Sequence, residues 1–539
     1  MLTYDLTQRQ ERPLYEHLYL CMRKDIERGT IAPDQKLPSK RGLAKHLGVS
    51  IITVEGAYAQ LVAEGYVRAV ERKGYYACDL LGARRLQVGG GGNLYADDAS
   101  GHVEKITEDY GQASVDVLAE NPADGYGETA AVSRNARPSS DLFASREDDA
   151  GASQEAKLIA DFRNGTASAG LFPYDGWAKA LRQALAEESE STLTSASHFQ
   201  GSLRLRHAIC RYLKGVRGMD VSPDQVFIGA GSQYLYHQLV QLLGRGRTVA
   251  LENPGYPRLA KIYGSNGMNV QPVSMDGQGI DVVALRASGA DLVHVTPSHQ
   301  YPTGQVTSIS RRYELLAWAA EKDDRVIIED DYDCEFRFAG KPIPALQSID
   351  ASQRVIYANT FSKSLGSGFR IGYLVLPDRF AKQYQEELSF YSCTVSAIDQ
   401  LALARFMECG SYERHVNRMR IHYKDVRNRL LHALEGSSIA NRLEFFAVDA
   451  GLHFLMGVKS VRGADELADA CLRQGVALLP LDHFVLGEEK ENAVAGSSHP
   501  FGSEEGEPSQ TAWFMMNYAG LKAERIPDAV AAMERALRE

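Results

Sequence analysis

From Gln225 to Pro377 strand-like and helix-like runs take turns along the chain: QVFIGAG, YLYHQLVQLLG, TVALENPGY, DLVHVTPS, SRRYELLAWAAEK, RVIIEDDY, RVIYANTFSK and RIGYLVLP. Short apolar runs separated by whole amphipathic helices are not hairpins. Each helix carries the chain back across a sheet, so the strands run largely parallel and helices wrap them. A sheet of that kind offers its ligand site beyond the C-terminal ends of the strands. The spacing therefore predicts an α/β body and says where to look in it.

At 539 residues the chain has room for about three to four units, or fewer if one is a large α/β domain. Its 44% hydrophobic and 24% charged content is that of a soluble globular protein. No apolar run approaches the ~18 residues of a membrane span, and MLTYDLTQRQERP has no signal-peptide core, which predicts a cytoplasmic protein with no membrane partner. Seven scattered cysteines without close pairs argue for free thiols rather than a disulfide framework or a zinc site.

The net charge of -10 is unevenly spread: residues 1–86 hold 14 Lys/Arg against 10 Asp/Glu, whereas residues 93–155 hold 4 against 14. The basic part is the front. There PLYEHLYLCMRKDIERG has helical spacing and ends at Gly29. Pro38-Ser39 opens a second, short helix, and Ser50 caps a third, SIITVEGAYAQLVAEG. Val54, Ala57, Tyr58 and Leu61 share one face of the third helix, which leaves Ser50, Ile51, Thr53 and Glu55 towards the open side. This is helix-turn-helix spacing. YVRAVERKGYYAC then reads as a hairpin tipped by Glu71-Arg72-Lys73-Gly74, a positive wing that suits a phosphate backbone.

Residues 37–65 closely resemble the GntR family of winged-helix regulators, whose pattern LPSxRxLAxxLxVSxxTVxxAYxxLxxEG they match. The resemblance implies double-stranded DNA as partner and contacts by Ser39, Arg41, Lys45, Ser50, Thr53, Lys73 and Gly74. Many members carry Arg directly after the capping serine. Ile51 stands there in this chain, a departure that implies either weaker backbone contact or readout shifted towards thymine methyls.

Three units follow from these patterns: a winged helix-turn-helix domain at 1–80, a flexible acidic linker at 81–155 with Gly89 to Gly92 as its joint, and the α/β body at 156–539. Beyond Asp378 long helical segments precede FFAVDAGLHFLMGV and VALLPL, the strands of a smaller C-terminal α+β subdomain. The polar stretch 486–510 interrupts it as a disordered insert.

Chemistry concentrates in YANTFSKSLGSGFRIG, residues 357–372. Lys363, set between serines, can reach a carbonyl, and Thr360, Ser362 and Arg370 bring the hydroxyls and guanidinium that a phosphate needs. IGAGSQ, residues 228–233, turns from a strand into a helix whose N-terminus can hold a phosphate. Tyr256 follows the next strand and can stack on a ring, with Arg258 two residues on. RVIIEDDYD supplies Asp330 as a carboxylate for a protonated pyridine nitrogen and Tyr332 as a donor to a phenolate oxygen. Only one of three consecutive acids points inward, so that assignment stays open; Asp331 and Glu329 read as solvated strand-end charges.

Phosphate donors, stacking aromatic, carboxylate and lysine, in that chain order, resemble a pyridoxal-phosphate enzyme of the aspartate-aminotransferase fold (fold type I). The resemblance implies pyridoxal 5'-phosphate as cofactor, Lys363 as its Schiff-base residue, Asp330 on the ring nitrogen, Tyr332 on the ring oxygen and Tyr256 stacked on the ring. Gly231, Ser232, Gln233, Thr360, Ser362 and Arg370 then meet the phosphate. Where that fold has an Asn-Pro-Thr-Gly turn this chain reads SHQYPTG, so His299, Gln300 or Tyr301 must replace the asparagine.

A winged head on such a body is similar to the MocR-type regulators of the GntR superfamily, whose signatures TPSHQYPTG, EDDYDCEFRF and ANTFSKSLGSGFRIGYLVLP resemble. That implies a domain-swapped homodimer and a transcription regulator whose effector is a small amine, an amino acid or pyridoxal phosphate itself. The alternative is a working aminotransferase with a DNA-binding head. Some relatives hold a carboxylate with two arginines, one matching Arg258. Met515 stands in place of the other, which favours a regulator of the PdxR type that answers to the cofactor and vitamin B6 synthesis.

Overall fold

The structure, a computed structural model, describes residues 2–4, 6, 13–70, 73–80, 158–163, 165, 170–338, 343–449, 451–487 and 511–538. The expected linker, the wing tip Glu71-Arg72 and most of the 486–510 insert lie outside these residues. Leu486, placed in the insert, is buried instead, and its N–H donates to Asn253 Oδ1 at 2.8 Å.

The head is three helices and a hairpin: α1 (Leu14–Glu27), α2 (Lys40–Leu47), α3 (Ile51–Ala63), β1 (Val67–Val70) and β2 (Gly74–Ala77). Its short helices start where the capping serines stand. Ser39 Oγ accepts from Gly42 N–H and Ser50 Oγ from Thr53 N–H, each at 3.1 Å, which satisfies donors that a helix start leaves open. Val54, Ala57, Tyr58 and Leu61 bury the predicted face of α3 against Leu18 and Met22 of α1.

The body is built on one eight-stranded sheet. Its strands are β4 (Val226–Gly229), β5 (Thr248–Asn253), β6 (Asn269–Asp276), β7 (Gly279–Ile280), β8 (Leu292–Val295), β9 (Val326–Asp330), β10 (Val355–Thr360) and β11 (Gly372–Val375), in the order β4-β11-β10-β9-β8-β5-β6-β7. Strands β6, β5, β8, β9 and β10 are parallel, while β11 enters antiparallel between β10 and β4. The largely parallel sheet read from the alternation is present; RIGYLVLP runs against it, as does the short edge strand β7.

A second layer adds β12 (Leu443–Phe446), β13 (His453–Lys459), β15 (Leu479–Pro480) and β16 (Thr511–Asn517) as an antiparallel sheet, order β12-β13-β16-β15. A short pair, β3 (Ala160–Asp161) with β14 (Val476–Ala477), ties the start of the body to this subdomain. Phe454, Met456, Phe514 and Met516 face its helices as core. Side chains alternate along strands, so His453, Leu455, Met515 and Asn517 share the opposite face.

A pyridoxal-phosphate-type site at the strand ends and a basic face on the head

The body segments that carry Gly231, Tyr256, His299, Asp330 and Lys363 lie at the C-terminal ends of β4, β5, β8, β9 and β10. Gly231 follows β4 and starts the helix Ser232–Leu243 with φ 81°, a conformation that favours glycine. A Cβ there would lie 2.6 Å from Arg370 Nη2, so glycine is what lets the guanidinium cross the helix start. Arg370 donates to Ala230 O at 3.3 Å. After β10, Thr360 Oγ1 and Ser362 Oγ stand 2.7 Å apart. Open helix N–H groups at Ser232 and Gln233, two hydroxyls and a guanidinium make a cradle for a phosphate dianion.

Lys363 is half-buried, and burial lowers its pKa while Asp333 pulls the other way. A depressed amine pKa is what a nucleophilic lysine needs. Its Nζ donates to Gly165 O at 3.5 Å, and a Cβ on Gly165 would lie 2.8 Å from Nζ and 2.6 Å from Asn517 Nδ2. Asn517 is a neighbour that the sequence reading missed; nothing local marks it, because its place depends on how the small sheet packs.

The three acids at the end of β9, Glu329, Asp330 and Asp331 just beyond it, sort by strand alternation. Asp330 faces one side, where Tyr236 Oη donates to Oδ2 at 2.5 Å and His294 Nε2 lies 3.5 Å away. Glu329 and Asp331 face the other, and neither is solvated. Glu329, fully buried, accepts from Leu346 N and Gln347 N at 2.8 and 2.9 Å. Asp331 pairs with Arg217 at 2.8 Å, both side chains 1% exposed, and accepts from Tyr357 Oη at 2.6 Å. The strand-end reading of these two acids is corrected: they lie under the sheet, and Arg217 comes from a helix more than a hundred residues earlier.

Among the three candidates to replace the asparagine, His299 reaches the tyrosine. Tyr332 Oη lies 3.1 Å from His299 Nδ1, which is 2.9 Å from Asp333 Oδ2. Gln300 is spent on its own turn and on the loop after β5, donating to Tyr301 O at 2.8 Å and Pro254 O at 2.9 Å and accepting from Thr303 N–H at 3.0 Å. Tyr301 instead packs edge-on against Tyr256 and Tyr332, centroids 5.3 and 5.9 Å apart. Arg258 lies over the Tyr256 ring at 5.9 Å. His453, from the small sheet, sits 4.5 Å from the His299 ring, and burial together with His299 and Lys363 drives its pKa well below the ordinary histidine value. Met515, fully buried, lies between Leu455 and Leu479 on that same sheet.

The head presents a different kind of surface. Arg41, Lys45 and Lys73 are exposed and make no ion pair among the described residues. Ile51 and Ile52, 47% and 78% exposed, open α3 beside them. Ser50 and Thr53 hydroxyls are 2.8 Å apart at the helix start, and Gly74 has φ 109° at the wing.

Residues 14–76 match the family description "Bacterial regulatory proteins, gntR family", and residues 166–532 match "Aminotransferase class I and II". The chain is 35% identical to the HTH-type transcriptional regulator YdeL of Bacillus subtilis over 87% of this chain and 89% of that one. It is 30% identical to the probable rhizopine catabolism regulatory protein MocR of Rhizobium meliloti over 90% of both chains. The pyridoxine biosynthesis transcriptional regulator PdxR of Corynebacterium glutamicum is 28% identical over 88% of this chain and 89% of its own. Among solved structures, the multiple substrate aminotransferase of Thermococcus profundus superposes with a TM-score of 0.59 at 23% identity, over 71% of this chain and 92% of that one. The α-aminoadipate aminotransferase LysN of Thermus thermophilus, solved with N-(5'-phosphopyridoxyl)-L-leucine, gives 0.58 at 24%, over 73% and 95%. These two likenesses bear on the fold, and the aminotransferase class I and II fold implies pyridoxal phosphate. With a winged head in front of that fold and regulators as full-length relatives, the chain belongs to the MocR-type transcriptional regulators of the GntR family.

Proposed function

We propose that this regulator holds pyridoxal 5'-phosphate on Lys363 and uses the occupied site to set how its heads meet DNA. The observation that carries the reading is the convergence of Lys363, Asp330, Tyr332 and the Gly231–Arg370 cradle at the ends of strands that the fold alone brings together. Pyridoxal phosphate supplies an electrophilic carbon that an amine can claim from the lysine. This chain's residues do the rest: the cradle binds the phosphate, Asp330 faces the ring nitrogen, Tyr332 with His299 faces the ring oxygen, and Tyr256 with Tyr301 closes the ring's flank.

Ser39, Arg41, Lys45, Ser50, Thr53, Lys73 and Gly74 serve DNA through phosphate or base contacts, with Ile51 either weakening backbone contact or meeting thymine methyls. The molecule acts as a homodimer whose heads can exchange bodies. Arg258 lies at the effector end, and with Met515 where relatives bring a second guanidinium, the cofactor itself is favoured as the signal over an amino acid. Missing one charged hydrogen-bond donor weakens carboxylate binding by about 1.5–3 kcal/mol. The complete cofactor set also supports a second reading, a working aminotransferase.

Absorbance and turnover separate these. Wild-type protein mixed with pyridoxal phosphate should colour, and Lys363→Ala should not; steady release of 2-oxo acid from amino donors would favour the enzyme. A wild-type protein that stays colourless at saturating cofactor rules the reading out.

A further inference from the structure

The head does not merely sit beside the body; the residues that end α3 meet the start of the helix Ile309–Ala320, whose buried Arg312 reaches the turn that carries His299. Glu64 O accepts from Ile309 N–H at 3.2 Å, and a Cβ on Gly65 would lie 3.1 Å from Ser308 Cα, so backbone meets backbone. The Glu64 carboxylate is 4% exposed, takes Tyr19 Oη at 2.6 Å and the Gln60 amide, and lies in the fields of Arg23 of the head and Arg312 of the body. Apolar residues of the head and of the helix Ile309–Ala320 form one continuous cluster.

Arg312, 2% exposed, spends its guanidinium on three carbonyls: Thr307 at 3.1 Å, Pro344 at 2.6 Å and Pro297 at 2.9 Å. Pro297 begins the turn after β8. The next residue, Ser298, accepts from Arg217 at 2.7 Å, and the one after is His299, the partner of Tyr332. Among the described residues no carboxylate bonds to this buried cation, so it depends on charges further off: Glu329 of the body and Glu64 of the head, which lines the same small cavity as Arg312.

We propose that Arg312 is the positioning residue through which head docking and occupation of the Lys363 site read each other, an inference that rests on the cofactor-sensing function above. Any ligand that moves the Pro297–His299 turn shifts one of the three carbonyls that hold Arg312, and with it the seat of Glu64. By linkage, a head drawn off the body by DNA returns the same factor on ligand affinity. The bistable element is the head itself, docked or undocked.

The test uses the full chain, stripped of pyridoxal phosphate or saturated with it, and follows hydrogen exchange in the peptide holding the Ile309 amide. Wild type should take up colour and change its exchange by about fivefold or more, the low end of ordinary coupling. Arg312→Gln should still colour yet lose most of that change. A coloured wild type with unchanged exchange, or an Arg312→Gln protein that keeps the full change, overturns the proposal. A colourless wild type removes the function beneath it and the proposal with it. Should Arg312→Gln fail to fold, Glu64→Gln, which keeps the side chain's shape, is held to the same two outcomes from the head's side.

Discussion

Two ion pairs put the contrast between body and head in one measure. Arg217 and Asp331 meet at 2.8 Å with side chains 1% exposed; Lys40 and Glu55 meet at 2.6 Å with side chains 30% and 54% exposed. The first is locked among Ser298, Tyr357 and Ile343 O, whereas the second is wet, with Lys40 also over the Tyr75 ring at 5.5 Å. A ligand site must fix its groups before the ligand arrives, because a dry site multiplies every error of placement. A backbone-reading DNA surface needs the reverse, charges still hydrated and free to meet phosphates as counterions leave.

The sharpest way to break the contrast is to cut each pair. Arg217→Ala leaves Asp331 buried without its cation and should cost about 3–5 kcal/mol, read as a large fall in the unfolding midpoint in urea. Lys40→Ala should cost no more than about 1 kcal/mol. Equal losses would mean that burial does not separate the two regions. Next in size is Gly231→Ala. Its methyl would crowd Arg370 and hold a non-glycine residue in the left-handed region, at about 1–2 kcal/mol, so pyridoxal phosphate affinity in a fluorescence titration should drop by about tenfold.

What the sequence disclosed divides along the same line. Features set by local chemistry were legible: Ser39 and Ser50 as helix starts, the apolar face of α3, the strand-helix alternation, and Lys363 at the end of β10. Features set by distant packing were not. Period-two alternation separates Asp330 from Glu329 and Asp331, yet it cannot say which side meets the ligand; that depends on Tyr236 on one face and Arg217 on the other. SHQYPTG likewise offered three replacements for one asparagine, and only the packed structure shows that His299 is the one that lies beside Tyr332 and Asp333. Arg312 carried no signal at all, since an arginine on an amphipathic helix reads as solvated until the carbonyls of residues 297, 307 and 344 close around it.

On the head, the exposed cations give graded rather than decisive effects. Lys45→Ala and Lys73→Ala should each weaken binding to any duplex about uniformly and lower the slope of log affinity against log salt by about 1, measured by fluorescence anisotropy. A change confined to one sequence would make the residue a base reader and blur the distinction from Ile51.

Ser50 is where the two regions' logics overlap, because a fixed structural bond and a proposed DNA contact fall on one hydroxyl. Its Oγ accepts the Thr53 N–H at 3.1 Å, and Ser50→Ala should cost about 1 kcal/mol of head stability for that alone. Loss of DNA binding in that variant would therefore be ambiguous. Ser50→Asp is not: aspartate caps a helix as well as serine does, so the head should keep its melting midpoint. The added carboxylate meets phosphate with the wrong sign, however, and duplex affinity should fall by more than in Ser50→Ala. If Ser50→Asp instead binds DNA as wild type does, the start of α3 does not face the backbone, and the head's contact surface must be sought around Lys73 and Gly74 at the wing.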